Sequence, residues 1–345
     1  MPRPSLLAAL LFVAACSGGG RPPAPPAPAP ELAPAFEREQ TADQQIAHVL
    51  SRLTFGARPG DADKVRALGV DRWIDAQLHP EQVDDAVFEK FLADNYQTLT
   101  QTPAQLETKW PPPGVLANQI AARNRTAGGA VASMGRADSA RLRDAQQGVR
   151  LITTEVQGAR VARAVASERQ LLEVMTDFWL NHFSVYDAKG PRQRYMLADY
   201  ENRVIRPYAL GKFRTLLGAV AKSEAMLFYL DNWESQADST RPRLGGAGGR
   251  GGRGAGRGGA AALPPQLRRG GLNENYGREL LELHTLGVDG GYTQQDVINA
   301  ARALTGWTFR GPAQGGGFQF VPVMHDAGAK VLLGQKLAAA SCMTG

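Results

Sequence analysis

Residues 273–307 read NENYGRELLELHTLGVDGGYTQQDVINAARALTGW, and their pattern decides the fold class. Asn273 is a helix cap, and the helix it opens is expected to run to about Leu286, where Gly287 supplies a left-handed stop. Val288-Asp289-Gly290-Gly291 makes a turn. Thr293, with Asp296 three residues on, forms a capping box that opens a second helix. Val297, Ile298, Ala301 and Leu304 lie along its buried side, and Gly306-Trp307 ends it. Two helices joined by a short Gly-rich turn are the unit from which the rest is read.

Working outward, the same period of three to four recurs. Ile46, Val49, Leu50 and Leu53 mark one helix, and Phe55 to Gly60 turns the chain. Asp61 or Asp63 caps the next, whose apolar positions are Val65, Leu68, Trp73, Ile74 and Leu78 before Pro80 stops it. Another helix is expected from Val83 to Tyr96, and KWPPPG (109–114) breaks the chain. Residues 127–147 carry weak periodicity; 149–185 are strongly helical. Ser167 is the expected cap of a helix with Leu171, Val174, Met175, Phe178, His182 and Val185 in one arc. Helices through 195–206 and 213–221 follow, then Met226 to Leu230. Few runs alternate with period two. The expected fold is therefore mainly α, a multi-helix globular domain over residues 41–334. A disordered Gly/Arg-rich insertion at 244–270 interrupts it, and an irregular tail at 335–345 follows.

The net charge of +6 invites a nucleic-acid partner, but the charge is local. Seven arginines and no acid lie between Arg241 and Gly270, and the remainder of the chain is near neutral. The RGG pieces resemble RNA-binding segments. In an exported chain a flexible basic insertion accounts for them, and no nucleic-acid partner is expected. Export is expected from the N-terminus: Arg3, an apolar run from Leu6 to Val13, then Ala14-Ala15-Cys16. The run is too short to span a membrane, which takes roughly 20 apolar residues. It reads as a signal peptide over 1–15 ending in a lipobox, with Cys16 lipidated and the membrane reached through that lipid. Ser17 in place of an acidic residue points to the outer membrane, with the domain periplasmic or surface-facing. Residues 16–40, rich in Pro and Ala, form an extended spacer. Two cysteines make no disulfide framework.

Chemistry-bearing residues concentrate in the opening stretch. Glu274, Glu279, Glu282 and His284 suggest a divalent metal site, but helical geometry separates them. At 100° per residue, Tyr276, Leu283 and His284 fall within about 60° of Leu280, on the apolar face. Glu282 lies about 160° from His284, Glu274 and Arg278 share its far side, and Glu279 is at the border. His182, in FWLNHF, also sits on an apolar face. A site would therefore be assembled between helices, from His182, His284 and His325, with Glu279 and Asp326 as further ligand candidates. The alternative is a set of hydrogen-bonded core histidines. The calcium-loop spacing is missing at 289–296, and no Ser-elbow, phosphate loop or dinucleotide fingerprint occurs.

HVLSRLTFGARPG (48–60), FWLNHFSV (178–185), the 273–307 stretch and HDAGAKVLLG (325–334) together resemble the bacterial domain of unknown function 1800 family. The resemblance spans about 41–334. It implies a mainly helical exported domain and supplies no catalytic residue. Two departures stand out: the Gly/Arg segment is an insertion before the central motif, and the chain ends soon after the HD element, where family members continue with another helical region. A C-terminally truncated member is expected. The functional expectation is a cell-envelope lipoprotein whose helical domain binds or assembles, with an envelope protein or polysaccharide as partner. The alternative is a metal-dependent or His-based envelope enzyme.

Overall fold

The computed structural model describes residues 40–126, 135–237 and 271–339. The expected signal peptide, Cys16, nearly all of the spacer, the Gly/Arg insertion and residues 340–345 lie outside the described residues. The described residues are mainly helical and divide into two compact units.

Residues 40–85 and 164–174 form the first unit. Thr41 and Gln44 make a capping box that opens α1 (Ala42–Leu53), followed by α2 (Asp61–Leu68) and α3 (Val70–Leu78). Ile46, Val49, Leu50 and Val65 form its core, with Trp73 and Ile74 against it. Leu68 and Leu78, expected on the apolar face, are exposed, because α2 and α3 are separate helices broken at Gly69. The turn of the first motif owes its shape to Arg58. Its guanidinium donates to Asp61 at 3.0 Å and to the Ser167 carbonyl at 3.2 Å. Gln77, buried on α3, accepts from the Leu171 amide at 3.0 Å and donates to the Glu168 carbonyl at 2.9 Å. One orphan donor of a helix start is thereby satisfied from a neighbouring element. Ser167 does not cap that helix directly: its Oγ accepts from the Arg169 amide at 3.1 Å and donates to Asp85 at 2.6 Å.

The second unit comprises the remaining described residues. Its helices are α4 (Ala86–Asn95), α5 (Pro103–Lys109), α6 (Pro113–Thr126) and most of α7 (Arg136–Ala166). Most of α8 (Gln170–His182) follows, then α9 (Gln193–Asp199), α10 (Phe213–Lys222) and α11 (Glu224–Tyr229). α12 (Glu274–Leu281) and α13 (Gln294–Leu304) complete the set. α7 is continuous for 31 residues, so the weak periodicity before residue 148 conceals a helix. α9 and α12 each run on into a wide π turn, Tyr200–Ile205 and Glu282–Leu286.

Two short antiparallel hairpins close the described chain. β1 (Trp307–Phe309) pairs with β2 (Phe318–Phe320), and β3 (Lys330–Leu332) with β4 (Gln335–Leu337). The tail expected to be irregular from 335 thus begins with a strand. Its turn, Leu333-Gly334, has both residues at positive φ (51° and 77°), the twist a two-residue hairpin needs. Leu333 is held there by donating its amide to Asp296 at 2.7 Å, a contact from α13 that no local sequence signal announces.

α12 and α13 meet at Gly277. A Cβ there would stand 2.7 Å from both the Ala301 nitrogen and the Val297 carbonyl oxygen, so the two backbones touch. Asn273 caps α12 through the Asn275 amide at 2.9 Å, and its Nδ2 donates to the carbonyls of Leu230 and Asp231, each at 3.0 Å. Helix propensity favours Ala over Gly by about 1 kcal/mol, whereas overpacking costs about 1–3 kcal/mol. Gly277→Ala is therefore expected to destabilise the fold in urea titrations. Gly218→Ala on α10, where a Cβ meets nothing within 4 Å, is expected to leave stability unchanged or raise it.

Candidate functional site

The two central histidines come together around Phe183. This ring is fully buried, with His182 at 4.5 Å, His284 at 5.2 Å, Trp179 at 5.8 Å and Phe213 at 6.2 Å between centroids. Trp179 is fixed by its Nε1, which donates to the Ala209 carbonyl at 2.9 Å. The Phe183 carbonyl, at the end of α8, accepts from Tyr200 Oη at 2.6 Å. That tyrosine opens the wide turn after α9, and it satisfies an acceptor the helix end leaves over.

His182 Nε2 lies 3.2 Å from the His284 carbonyl oxygen. A carbonyl only accepts, so Nε2 carries the proton and His182 donates to the wide turn that ends α12. His284 is only 5% exposed, and its Nδ1 has no protein partner. Burial, and secondarily His182, push its pKa down to about 4, so it is neutral at ordinary pH. Tyr276 stands edge-on to it at 6.4 Å, and its buried hydroxyl also lacks a protein partner. Burial raises the pKa of Tyr276; burial and then Tyr276 raise that of Tyr200 well above its ordinary value. The cluster holds two neutral phenols, a neutral imidazole and one donor histidine.

The rim is apolar. Phe178, expected to be buried on α8, is 52% exposed and parallel to the His182 ring at 6.4 Å. The inward line of α8 runs instead through Glu173, Thr176, half-buried Leu180 and Phe183, because two polar residues take buried places. Leu283, also expected on the apolar face, is 57% exposed. The face of α12 is centred on Gly277 and Leu281, where α13 packs, and the wide turn advances each residue by less than an α-helix does. Leu283 consequently lags outward while Leu286 comes round to the Leu281–Val297 cluster.

The remaining candidates are placed elsewhere. His325 donates Nδ1–H to the Thr305 carbonyl at 2.8 Å and packs on Phe320 at 5.3 Å. Its pKa is lowered, chiefly by burial. Asp326 receives Arg302 at 2.7 and 3.2 Å, a bidentate pair that lowers its pKa. Lys330 donates to the carbonyls of Asp326 and Gly328. This is a clasp on the end of α13. Glu282 accepts from Tyr292, and burial followed by the charge of Glu282 raises the pKa of Glu279. Among the described residues no group of three or more His, Cys, Asp and Glu is placed to hold a metal ion. The structure brings together His182 and His284, and not His325, Asp326 or Glu279 with them.

A second polar centre had no sequence signal. Glu107 on α5 accepts Arg192 at 3.0 and 2.8 Å, and Glu224 on α11 accepts the Gly317 amide. Burial, outweighing these hydrogen bonds, raises both carboxyl pKa values. Each residue stands alone in its helix pattern, and only the fold pairs them.

The model of the family described as "Protein of unknown function (DUF1800)" matches residues 48–345. The chain belongs to this family. No curated protein and no solved structure matches it. In this DUF1800 chain the motif residues Arg58, Asn273, Gly277, Asp326 and Lys330 each have a packing or hydrogen-bonding task. Tyr276 Oη, His284 Nδ1 and His325 Nε2 have none within the protein.

The two phenols test this contrast. Tyr200→Phe leaves the Phe183 carbonyl without its donor and should cost about 1–3 kcal/mol in chemical denaturation. Tyr276→Phe removes a hydroxyl that has no protein partner, and stability should hold or rise by about 1 kcal/mol. A comparable loss in both variants would show that the Tyr276 hydroxyl is satisfied.

Proposed function

We propose that this DUF1800 chain is a cell-envelope lipoprotein, anchored through Cys16, whose helical domain binds or assembles at the outer membrane. The face around Phe178, His182 and Leu283 is its contact surface. One observation carries the reading: two large apolar side chains are half exposed beside a histidine pair that is turned inward or tied to backbone. Exposed apolar surface of this kind favours association. The anchor is supported by the Met1–Cys16 pattern and by the Pro-rich spacer after it. Among the described residues no helix is long and apolar enough to cross a membrane, and in this reading the lipid supplies attachment. An envelope protein or a polysaccharide is the partner class.

His284 Nδ1, buried without a protein partner, favours a second reading as a His-based or metal-dependent enzyme. In it, His182 and His284 would supply the nitrogen ligands or the acid and base.

Three measurements separate these readings. Cys16→Ser should move the protein from the membrane to the soluble fraction, and an unchanged distribution would sink the anchor. A photo-crosslinking residue at position 178 or 283 should capture the same discrete partner in intact cells, and one at exposed Val87 should not. Metal analysis of protein purified without chelator should find no stoichiometric ion. An ion lost in both His182→Ala and His284→Ala would replace the binding reading with the metalloenzyme one.

A further inference from the structure

At the end of α12 the burial of two neighbouring side chains is inverted. Leu283 stands in solvent, while His284 is enclosed with Nδ1 unpartnered. Each half of that arrangement costs free energy, so something must hold it. Two contacts do. The wide turn Glu282–Leu286 is braced by Thr285 Oγ1, which donates to the Leu280 carbonyl at 2.7 Å. From outside the helix, His182 donates to the His284 carbonyl at 3.2 Å. Beyond the turn, Gly287 and Gly291 have φ of 81° and 77°, and nothing lies within 4 Å of either missing Cβ. The turn is closed by one backbone bond, from the Gly290 amide to the Gly287 carbonyl at 3.0 Å, and Gly287 and Gly291 are where the chain can re-aim if that bond opens.

The groups facing His284 are His182 at the end of α8, Phe183 just after it, and Tyr276 from its own helix. Tyr200, from the turn after α9, interacts with Tyr276. None of the four is a carboxylate. A proton on His284 would meet no counter-charge there, and a proton on His182 would repel it.

We propose that the last turn of α12 is an acid-released latch: protonation of His284 frees the turn from His182, brings the imidazole to solvent and remakes the surface formed by Leu283 and Phe178. This rests on the binding reading only for its consequence, the regulation of that surface; the latch itself is a property of the isolated chain. The sign follows from linkage. The closed turn keeps His284 neutral down to about pH 4, whereas a solvated histidine takes its proton near 6.5. Opening therefore becomes easier as pH falls from about 6.5 toward 4.

Amide hydrogen exchange of residues 282–286 in the full chain, corrected for intrinsic rates, tests this without any partner present. Protection should fall roughly tenfold between pH 7 and pH 5, more than in α13. His284→Phe, whose ring suits the cage of Phe183 and Tyr276, should lose that dependence. Equal protection at both pH values in the natural chain, or the same fall in His284→Phe, would overturn the latch. Should that variant fail to fold, NMR titration of His284 decides: a value near 6.5 in the folded protein overturns it, and one well below supports it. A missing partner at positions 178 and 283 would bear on the binding reading alone.

Discussion

The backbone contact between α12 and α13 at Gly277 governs the central region. With no side chain there, Val297 and Ala301 approach to where a Cβ would clash, and the rotation of α12 about its axis is fixed. That rotation sends Tyr276 and Leu281 inward and leaves Glu282 to Tyr292. It also determines that the next apolar residue, Leu283, faces water and that His284 does not. The wide turn then completes the register by bringing Leu286 onto α13. A residue with no side chain thus places the site, and the polar groups follow from it.

How much of this was legible in the sequence depended on whether the cause was local. Capping residues act over three or four positions, and those at Asn273 and Thr293 are where the pattern puts them. The helical class follows from periodicity that many helices repeat. A helical wheel assumes 100° per residue and a face made of apolar residues, and both assumptions fail at the site. Glu173 and Thr176 occupy buried places on α8, which turns Phe178 outward. On α12 the close approach at Gly277 shifts the buried face, and the π turn changes the angular step. Burial of a carboxylate such as Glu107 is set by an arginine 85 residues away, beyond the reach of any window.

The same distinction separates the histidines. His325 and Asp326 read as candidate ligands because their residue types coordinate metals, and a sequence does not display which of their atoms are already engaged. Thr305 takes His325 Nδ1 and leaves its buried Nε2 without a protein partner, Arg302 and Lys330 engage Asp326, and the HD element is a fastening between the end of α13 and the second hairpin. Asp326 also holds its depressed pKa because Arg302 is there, so it is a charged partner within the fold. His182 and His284 differ in that they share one buried ring, Phe183.

Those surroundings weigh on how the face could work. A general base is most effective with a pKa near the working pH. An imidazole held to about 4 is almost wholly unprotonated at pH 7 but a weak proton acceptor, and the proton on His182 Nε2 is already committed to a carbonyl. Catalysis by this pair as it stands would need both groups to be reorganised first. Association asks for less: Phe178 and Leu283 already present apolar surface, and covering them gains about 25 cal/mol per Å² removed from water. Contact through the rim is the use that requires the least change in the geometry at hand, and any chemistry at the buried pair would have to follow an opening of the α12 turn.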